Sequence, residues 1–426
     1  MSAGRVVVIG DPRSVFVQAP VRYWRRLGID AVIVTARWTG GATVSDGLPV
    51  VNAESIAPAA VARVIGDLHP FLRQVDALVE HQDPARSRRA LETWGPAARQ
   101  PSLIPPLQDA AYIAAAVDTL APVCVLGQEA FAYGLATAWS RAPRKALVVW
   151  GADVLHYAET SDLAHDLVRQ ALHGVRYVVT NAAPMVAALR ERFDVPPERI
   201  ASLAWGVDRG IFHPPDARDR ARIRARHGIP ADAPVVMNLR RLLPHWNAAT
   251  AWEAIARVMG ARPDVHAVLL DGSDDPHMLE RVERDAEGAG LRRRLIVHPG
   301  TASLDTVAEL MSVADVSLSL VDSLEPLSWS VLQAAAVGSS LVIGDQPTYR
   351  DEEARGLAAS FVPPCDAAQV VRAVLDLLDD LELRGQARTA NDRYISLHHD
   401  HDRQMARLLR ITAGAETAAA LMRHAA

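Results

Sequence analysis

Short apolar runs alternate along this chain with longer stretches whose apolar positions recur at helical spacing, the pattern of parallel sheets covered by helices on both faces. Strands are predicted at residues 5–9, 31–35, 123–126, 146–150, 177–180 and 200–203, with helices such as 17–27 and 184–193 between them. A second series follows at 235–238, 265–270, 295–297, 316–320 and 340–343, each strand leading into a helix. Residues 37–99, rich in Gly, Pro and polar side chains, give the weakest pattern. Between the two series lies Gly206-Val-Asp-Arg-Gly-Ile-Phe-His-Pro-Pro215, where a strand exit runs into turn residues and a proline pair, the marks of an interdomain joint.

A chain of 426 residues, half of them hydrophobic, has enough apolar surface for two ordinary cores. The net charge of −5 and the scattered arginines leave no electrostatic footprint for nucleic acid. Lys145 is the sole lysine, so the chain is biased toward arginine and the number of arginines argues nothing by itself. Cys124 and Cys365, far apart in apolar surroundings, fit neither a disulfide framework nor a metal spacing; buried thiols in a reducing cytoplasm are expected. The N-terminus runs straight into a strand without the apolar core of a signal peptide, and no apolar run is long enough to span a bilayer. The expectation is a cytoplasmic protein with at most peripheral membrane contact. Self-association as a homodimer is left open.

The densest chemistry lies in Glu325-Pro-Leu-Ser-Trp-Ser-Val-Leu-Gln333-Ala-Ala-Ala-Val-Gly338, a loop leading into a small-residue helix. Backbone N–H groups at a helix N-terminus, with the favourable end of the helix dipole, suit a diphosphate, and Ser328 and Ser330 can add hydroxyl donors. The plainer reading makes these serines N-caps of a buried helix. Glu325 sits at the carboxyl end of a strand, where ligands bind in open α/β sheets. A second cluster, Asn238-Leu-Arg240-Arg241-Leu-Leu-Pro-His-Trp246-Asn247, follows the first strand of the second series. Guanidinium forks there match phosphate oxygens and stay charged at any relevant pH, the plainer reading being arginines that cap surface strands.

Glu325, Gln333 eight positions later and the run Ala334 to Gly338 together resemble the donor-binding signature of nucleotide-sugar glycosyltransferases of the family four type (glycosyl transferases group 1). That family has a glutamate where this chain has Gln333, whose amide can donate and accept but cannot make the bidentate carboxylate contact to a ribose diol. The Arg-Leu-x-Pro run resembles the family's second phosphate loop, with Trp246 in the place of its lysine. The Gly-Val-Asp linker and the helical tail from Asn391 are similar to the family's too.

The resemblance implies a GT-B fold: two Rossmann-like doubly wound α/β domains with an interdomain cleft and a C-terminal helix crossing back to the first. The expected boundaries are 1–208 with 394–426 for the acceptor domain and 209–393 for the donor domain. It implies catalytic roles for Arg240, Arg241, Glu325 and Asp153. It implies donor contacts from Ser328, Trp329, Ser330, Gln333, Trp246, Asn247 and the His298-Pro-Gly300 turn that would frame the base. On the acceptor side it implies Asp11, Ser14 and Phe16 after the first strand, Gln128 and Glu129 after another, and Trp150 beside Asp153. Tryptophans at these strand exits are ordinarily core residues, although several together would suit an apolar or cationic acceptor.

No metal and no cofactor is expected, because the histidines show no ligand spacing with acidic neighbours. The partners are a nucleotide-diphosphate sugar and a glycan or small-molecule acceptor. Transfer with retention of anomeric configuration is the implied reaction. A sugar-nucleotide epimerase or hydrolase on the same fold, or a sugar-nucleotide-binding subunit without activity, are the alternatives.

Overall fold

The computed structural model describes residues 4–44, 47–56, 59–67, 104–271, 276–298, 302–321 and 326–425. They form two compact units: Met1–Ala204 with Asp402–Ala426, and Trp205–His401.

The first unit is built on a sheet of eight strands: β1 (Val6–Ile9), β2 (Ala31–Thr35), β3 (Thr43–Val44), β4 (Leu48–Asn52), β5 (Cys124–Gln128), β6 (Lys145–Val148), β7 (Tyr177–Thr180) and β8 (Ile200–Ser202). Its order is β3-β4-β2-β1-β5-β6-β7-β8, parallel except for the β3–β4 pair. The second unit carries six parallel strands: β9 (Val235–Asn238), β10 (His266–Leu270), β11 (Leu295–His298), β12 (Val316–Ser319), β13 (Ser340–Gly344) and β14 (Ser360–Val362). Their order is β11-β10-β9-β12-β13-β14.

Every predicted strand is present to within a few residues, and three were not anticipated. Those are β3 and β14, of two and three residues, and β4, which contains Pro49. Short edge strands leave too few alternating positions for a period to register, and proline counts against a strand in sequence.

Alternation within the central strands assigns the core. Val235 and Met237 face one apolar cluster of the second unit with Val331 and Leu332, while Val236 faces the other with Trp252, Val316 and Leu318. A sheet covered on both faces makes its strands continuously apolar, as the sequence showed.

The units divide at 204/205 and 401/402 rather than at 208/209 and 393/394. Packing explains both shifts. Val207, Tyr394 and Ile395 are buried in the second unit's core, so the joint and most of the helix Leu381–His398 belong there. Beyond it Met405, Leu408 and Leu409 are fully buried in the first unit, where the Trp24 indole donates to the Met405 carbonyl at 3.2 Å.

Asp315, which opens the turn into β12, collects the second unit's charged interior. Its carboxylate accepts from Arg220 at 2.9 Å, Arg224 at 3.0 Å, Arg384 at 3.0 Å and the Val235 backbone N–H at 2.9 Å. Two helices, Ala217–Arg226 and Leu381–His398, and two strands thus meet at one anion. Removing it leaves buried guanidinium groups unpaired, which costs far more than the net worth of an intact pair. Asp315→Asn is expected to destabilise the second unit by about 3 kcal/mol. The measurement is the urea midpoint of that unit at unchanged slope; a midpoint equal to the parent's would show that the arginines hold without the carboxylate.

Candidate functional site

In the second sheet, β9 lies between β10 and β12, so chain growth reverses there and the loops after β9 and β12 leave toward opposite faces. Such a switch point opens a crevice at the carboxyl ends of the strands, the usual ligand position in an open α/β sheet. Both candidate phosphate loops border it.

Across this point Arg240 Nη1 donates to Ser328 Oγ at 2.8 Å, and the Ser328 and Ser330 hydroxyls share a hydrogen bond of 2.9 Å. The Asn238 amide holds the Arg240 carbonyl at 2.7 Å. Trp246 ends the turn Pro244–Trp246 with its ring centroid 4.5 Å from Arg240 Cζ and 4.7 Å from Arg241 Cζ. Each such contact contributes about 0.5–1 kcal/mol at an exposed site. Asn247 takes left-handed backbone, φ 52°, to enter the helix Ala248–Ala261, and its amide ties the loop to the Leu320 carbonyl at 2.8 Å.

Trp246 as a platform for both arginines was not legible in the sequence, where it stood in the place of a lysine as an implied donor contact. The signal available was an aromatic residue in a proline turn close behind two adjacent arginines.

Ser328 occupies the N-cap position of the helix Trp329–Ala336 yet makes no capping bond, because its hydroxyl faces Arg240 and Ser330. Elsewhere Ser161, Asp216, Ser303, Asp366 and Asp380 all cap their helices through the side chain. A guanidinium beside the positive end of a helix is unfavourable until an anion sits between them. This corner sets a guanidinium and two hydroxyls beside a helix start, a donor set that matches an oxyanion.

Along the same edge the buried Ser319 Oγ, His298 Nδ1 and Gln346 Oε1 have no hydrogen-bond partner among the described residues. Leaving such groups unsatisfied costs about 1–3 kcal/mol each, so they are places where a bound ligand would complete the pairing. Gln333 is buried on the helix at 4% exposure. The Trp329 indole N–H, expected at the donor, is instead committed to the Gly206 carbonyl at 2.5 Å. Glu325 and Gly300 lie outside the described residues.

The first sheet has its own switch point, between β1 and β5. Gln128 joins the two sides: its amide donates to the Phe16 carbonyl at 3.2 Å and accepts from the Trp150 indole at 3.1 Å, while the Phe16 and Trp150 rings lie 4.2 Å apart. Ser14, at the N-cap of the helix Val15–Arg26, makes no capping bond. Asp11 is held by Arg13 through contacts of 2.7–3.2 Å; burial works to raise its pKa, but the arginine outweighs it and the carboxyl stays below its usual range.

Asp153, expected as a catalytic carboxylate, is 4% exposed. It accepts backbone N–H bonds from Ala130, Trp150, Gly151 and Val154 at 2.8–3.1 Å. With its oxygens so occupied it fastens the loop after β5 to the loop after β6. Glu129 lies beside it in left-handed backbone, φ 79°. Burial and the neighbouring Asp153 charge raise the Glu129 carboxyl to about 8, against one backbone N–H from Phe131. Lys145 is no phosphate ligand, since its ammonium caps the Ala138 and Ser140 carbonyls at 2.7 and 3.2 Å. Cys124 is buried as expected, but Cys365 is exposed, in the turn before the helix Ala367–Asp379. Among the described residues no group of three His, Cys, Asp or Glu side chains could hold a metal ion, and no helix is long and apolar enough to cross a membrane.

Residues 219–393 match the family model described as glycosyl transferases group 1. The second unit is a group 1 glycosyltransferase domain. Among curated relatives, the D-inositol 3-phosphate glycosyltransferase of Nocardioides sp. is 24% identical over 53% of this chain and 52% of its own. The alpha-D-kanosaminyltransferase of Streptomyces kanamyceticus is 26% identical over 46% and 49%. The chain thus spans about half the length of the curated relatives it matches.

Likeness to solved structures extends over both units. The sucrose-phosphate synthase of Thermosynechococcus elongatus superposes with a TM-score of 0.70, 15% identity and coverage of 96% of this chain and 98% of that one. Anabaena HepE, solved with UDP and glucose, gives 0.66, 14%, 95% and 99%. The fold is GT-B. In this group 1 domain the matched segment contains both sides of the β9/β12 corner.

Glu129 makes stability depend on pH with a definite sign. Its folded pKa, about 8, lies above the ordinary glutamate value of 4.5, so between these values the folded chain keeps a proton that the unfolded chain has released. Stability from this group is therefore undiminished at acid pH and falls as pH rises through that window. The melting temperature of the parent, relative to Glu129→Gln, is expected to drop from pH 5 to pH 8 and then level; parallel curves would place the carboxyl in an ordinary environment.

Proposed function

We propose that the protein transfers a sugar from a nucleotide-diphosphate donor to a glycan or small-molecule hydroxyl, with retention at the anomeric carbon. The observation that carries this reading is the Arg240–Ser328 contact across the β9/β12 switch point, with Arg241 beside it on Trp246 and an uncapped helix start behind. A diphosphate placed there gains two guanidinium forks, two serine hydroxyls and the helix N–H groups.

In that arrangement the protein's contribution to the reaction is charge stabilisation. As the bond from the anomeric carbon to the diphosphate oxygen breaks, negative charge grows on the leaving group, and donors already fixed by Ser328 and Trp246 meet it without reorganising. The acceptor oxygen bonds to the anomeric carbon on the face the diphosphate leaves, and its proton passes to a leaving phosphate oxygen. Asp153, fully engaged by backbone, takes no part in that proton transfer. The names of the relatives, which include transfer to inositol phosphate and transfer of kanosamine, and the UDP and glucose bound in Anabaena HepE support the reaction class. No metal or cofactor enters this scheme.

Thermal-shift titration with UDP, GDP, dTDP and ADP tests the donor and identifies its base. Arg240→Ala and Arg241→Ala are each expected to lower turnover by about 10²–10³-fold with the fold intact, the scale for losing one preorganised donor. Unchanged turnover in both would sink the assignment. Product analysis with donor alone separates a transferase, which shows little conversion without acceptor, from a hydrolase or epimerase.

A further inference from the structure

We propose that Trp246 is a positioning residue for the donor diphosphate: its ring holds both the Arg240 and the Arg241 guanidinium groups, so that the loop reads two phosphates rather than one. This rests on the donor reading above and deepens it.

The two side chains belong to consecutive residues and carry like charges, which left alone would repel and point apart. One indole attracts both, with Cζ–centroid distances of 4.5 and 4.7 Å. Arg240 also donates to Ser328 and is partly buried, and Arg241 is the more exposed of the two. Arg241 is the side chain through which the ring's effect is tested, since it lies outside the Ser328 contact. The platform is itself fixed, because Asn247 ties the end of its turn to the Leu320 carbonyl at 2.8 Å. A lysine at this position would add a third charge on a flexible stem and remove the surface that organises the other two. The chain has exchanged one cation for the fixed placement of a pair.

The test measures binding of a nucleoside diphosphate and its monophosphate, using whichever of UDP, GDP, dTDP and ADP binds best, to the parent, Trp246→Phe and Trp246→Leu. Leucine keeps apolar bulk without a π face, and phenylalanine keeps the face. Trp246→Leu is expected to weaken the diphosphate by about tenfold, about 1.4 kcal/mol, and the monophosphate by less than about threefold. Trp246→Phe should stay within about threefold of the parent for both. If the ring acts through Arg241, Arg241→Gln in the Trp246→Leu background adds little to the loss already incurred.

Equal losses for the mono- and diphosphate, failure of phenylalanine to rescue, or full additivity with Arg241→Gln would each overturn the positioning role while leaving the donor site in place. Failure of all four diphosphates to bind the parent would overturn the donor reading, and this role with it. A melting temperature common to the Phe and Leu variants separates loss of the face from loss of the fold.

Discussion

The second unit depends on one topological fact: its parallel sheet grows outward in both directions from the β9/β12 pair. Two loops distant in sequence, one with consecutive arginines and one with alternating serines, therefore leave neighbouring strand ends and meet. The Arg240–Ser328 hydrogen bond is the point of contact. From it follow the absence of a capping bond at Ser328 and the open N-terminus of the helix behind it. Asp315 acts at the other end of the same strands, locking the first helix of the unit and Arg384 to the approach to β12. One end of the sheet is closed by the Asp315 carboxylate, and the other carries Arg240 and Arg241 beside a helix start.

The first unit handles its switch point differently. There the polar groups are largely satisfied within the protein: Gln128 bridges Phe16 and Trp150, Arg13 neutralises Asp11, and four backbone N–H groups surround Asp153. Glu129, raised in pKa by burial as Asp153 is, stands apart in a backbone conformation that its side chain does not favour. A neutral carboxyl at that edge offers a hydrogen-bond donor, where an ordinary glutamate would offer only acceptors.

Much of this was legible in the sequence. The strands, the two-sheet class and the loops that border the switch points follow from apolar period and turn residues, because burial on both faces imposes long apolar runs. What period could not give was which polar atoms would find partners inside the chain. Asp153 was given a catalytic role by resemblance, because a Gly-x-Asp turn does not reveal that four amides converge on it. Trp329 looked like a donor contact because nothing in its surroundings announced the Gly206 carbonyl. Trp246 read as a loss of charge, since stacking of two guanidinium groups is a relation in space with no fixed spacing. The domain boundary shifted for the same reason: Tyr394 and Ile395 declare their core only once packed.

The arginine bias has a practical side. Lys145 carries the chain's only side-chain amine, and that amine lies partly buried against two carbonyls at the end of a helix in the first unit. Burial also lowers its pKa, which leaves more of it as free amine at mildly basic pH. Acylating reagents that scatter over the surface of most proteins therefore meet a single lysine here, in the unit that does not carry the phosphate corner. A dye, a spin label or a surface tether attached through that side chain leaves Arg240 and Arg241 untouched, the α-amine being the other acylation point.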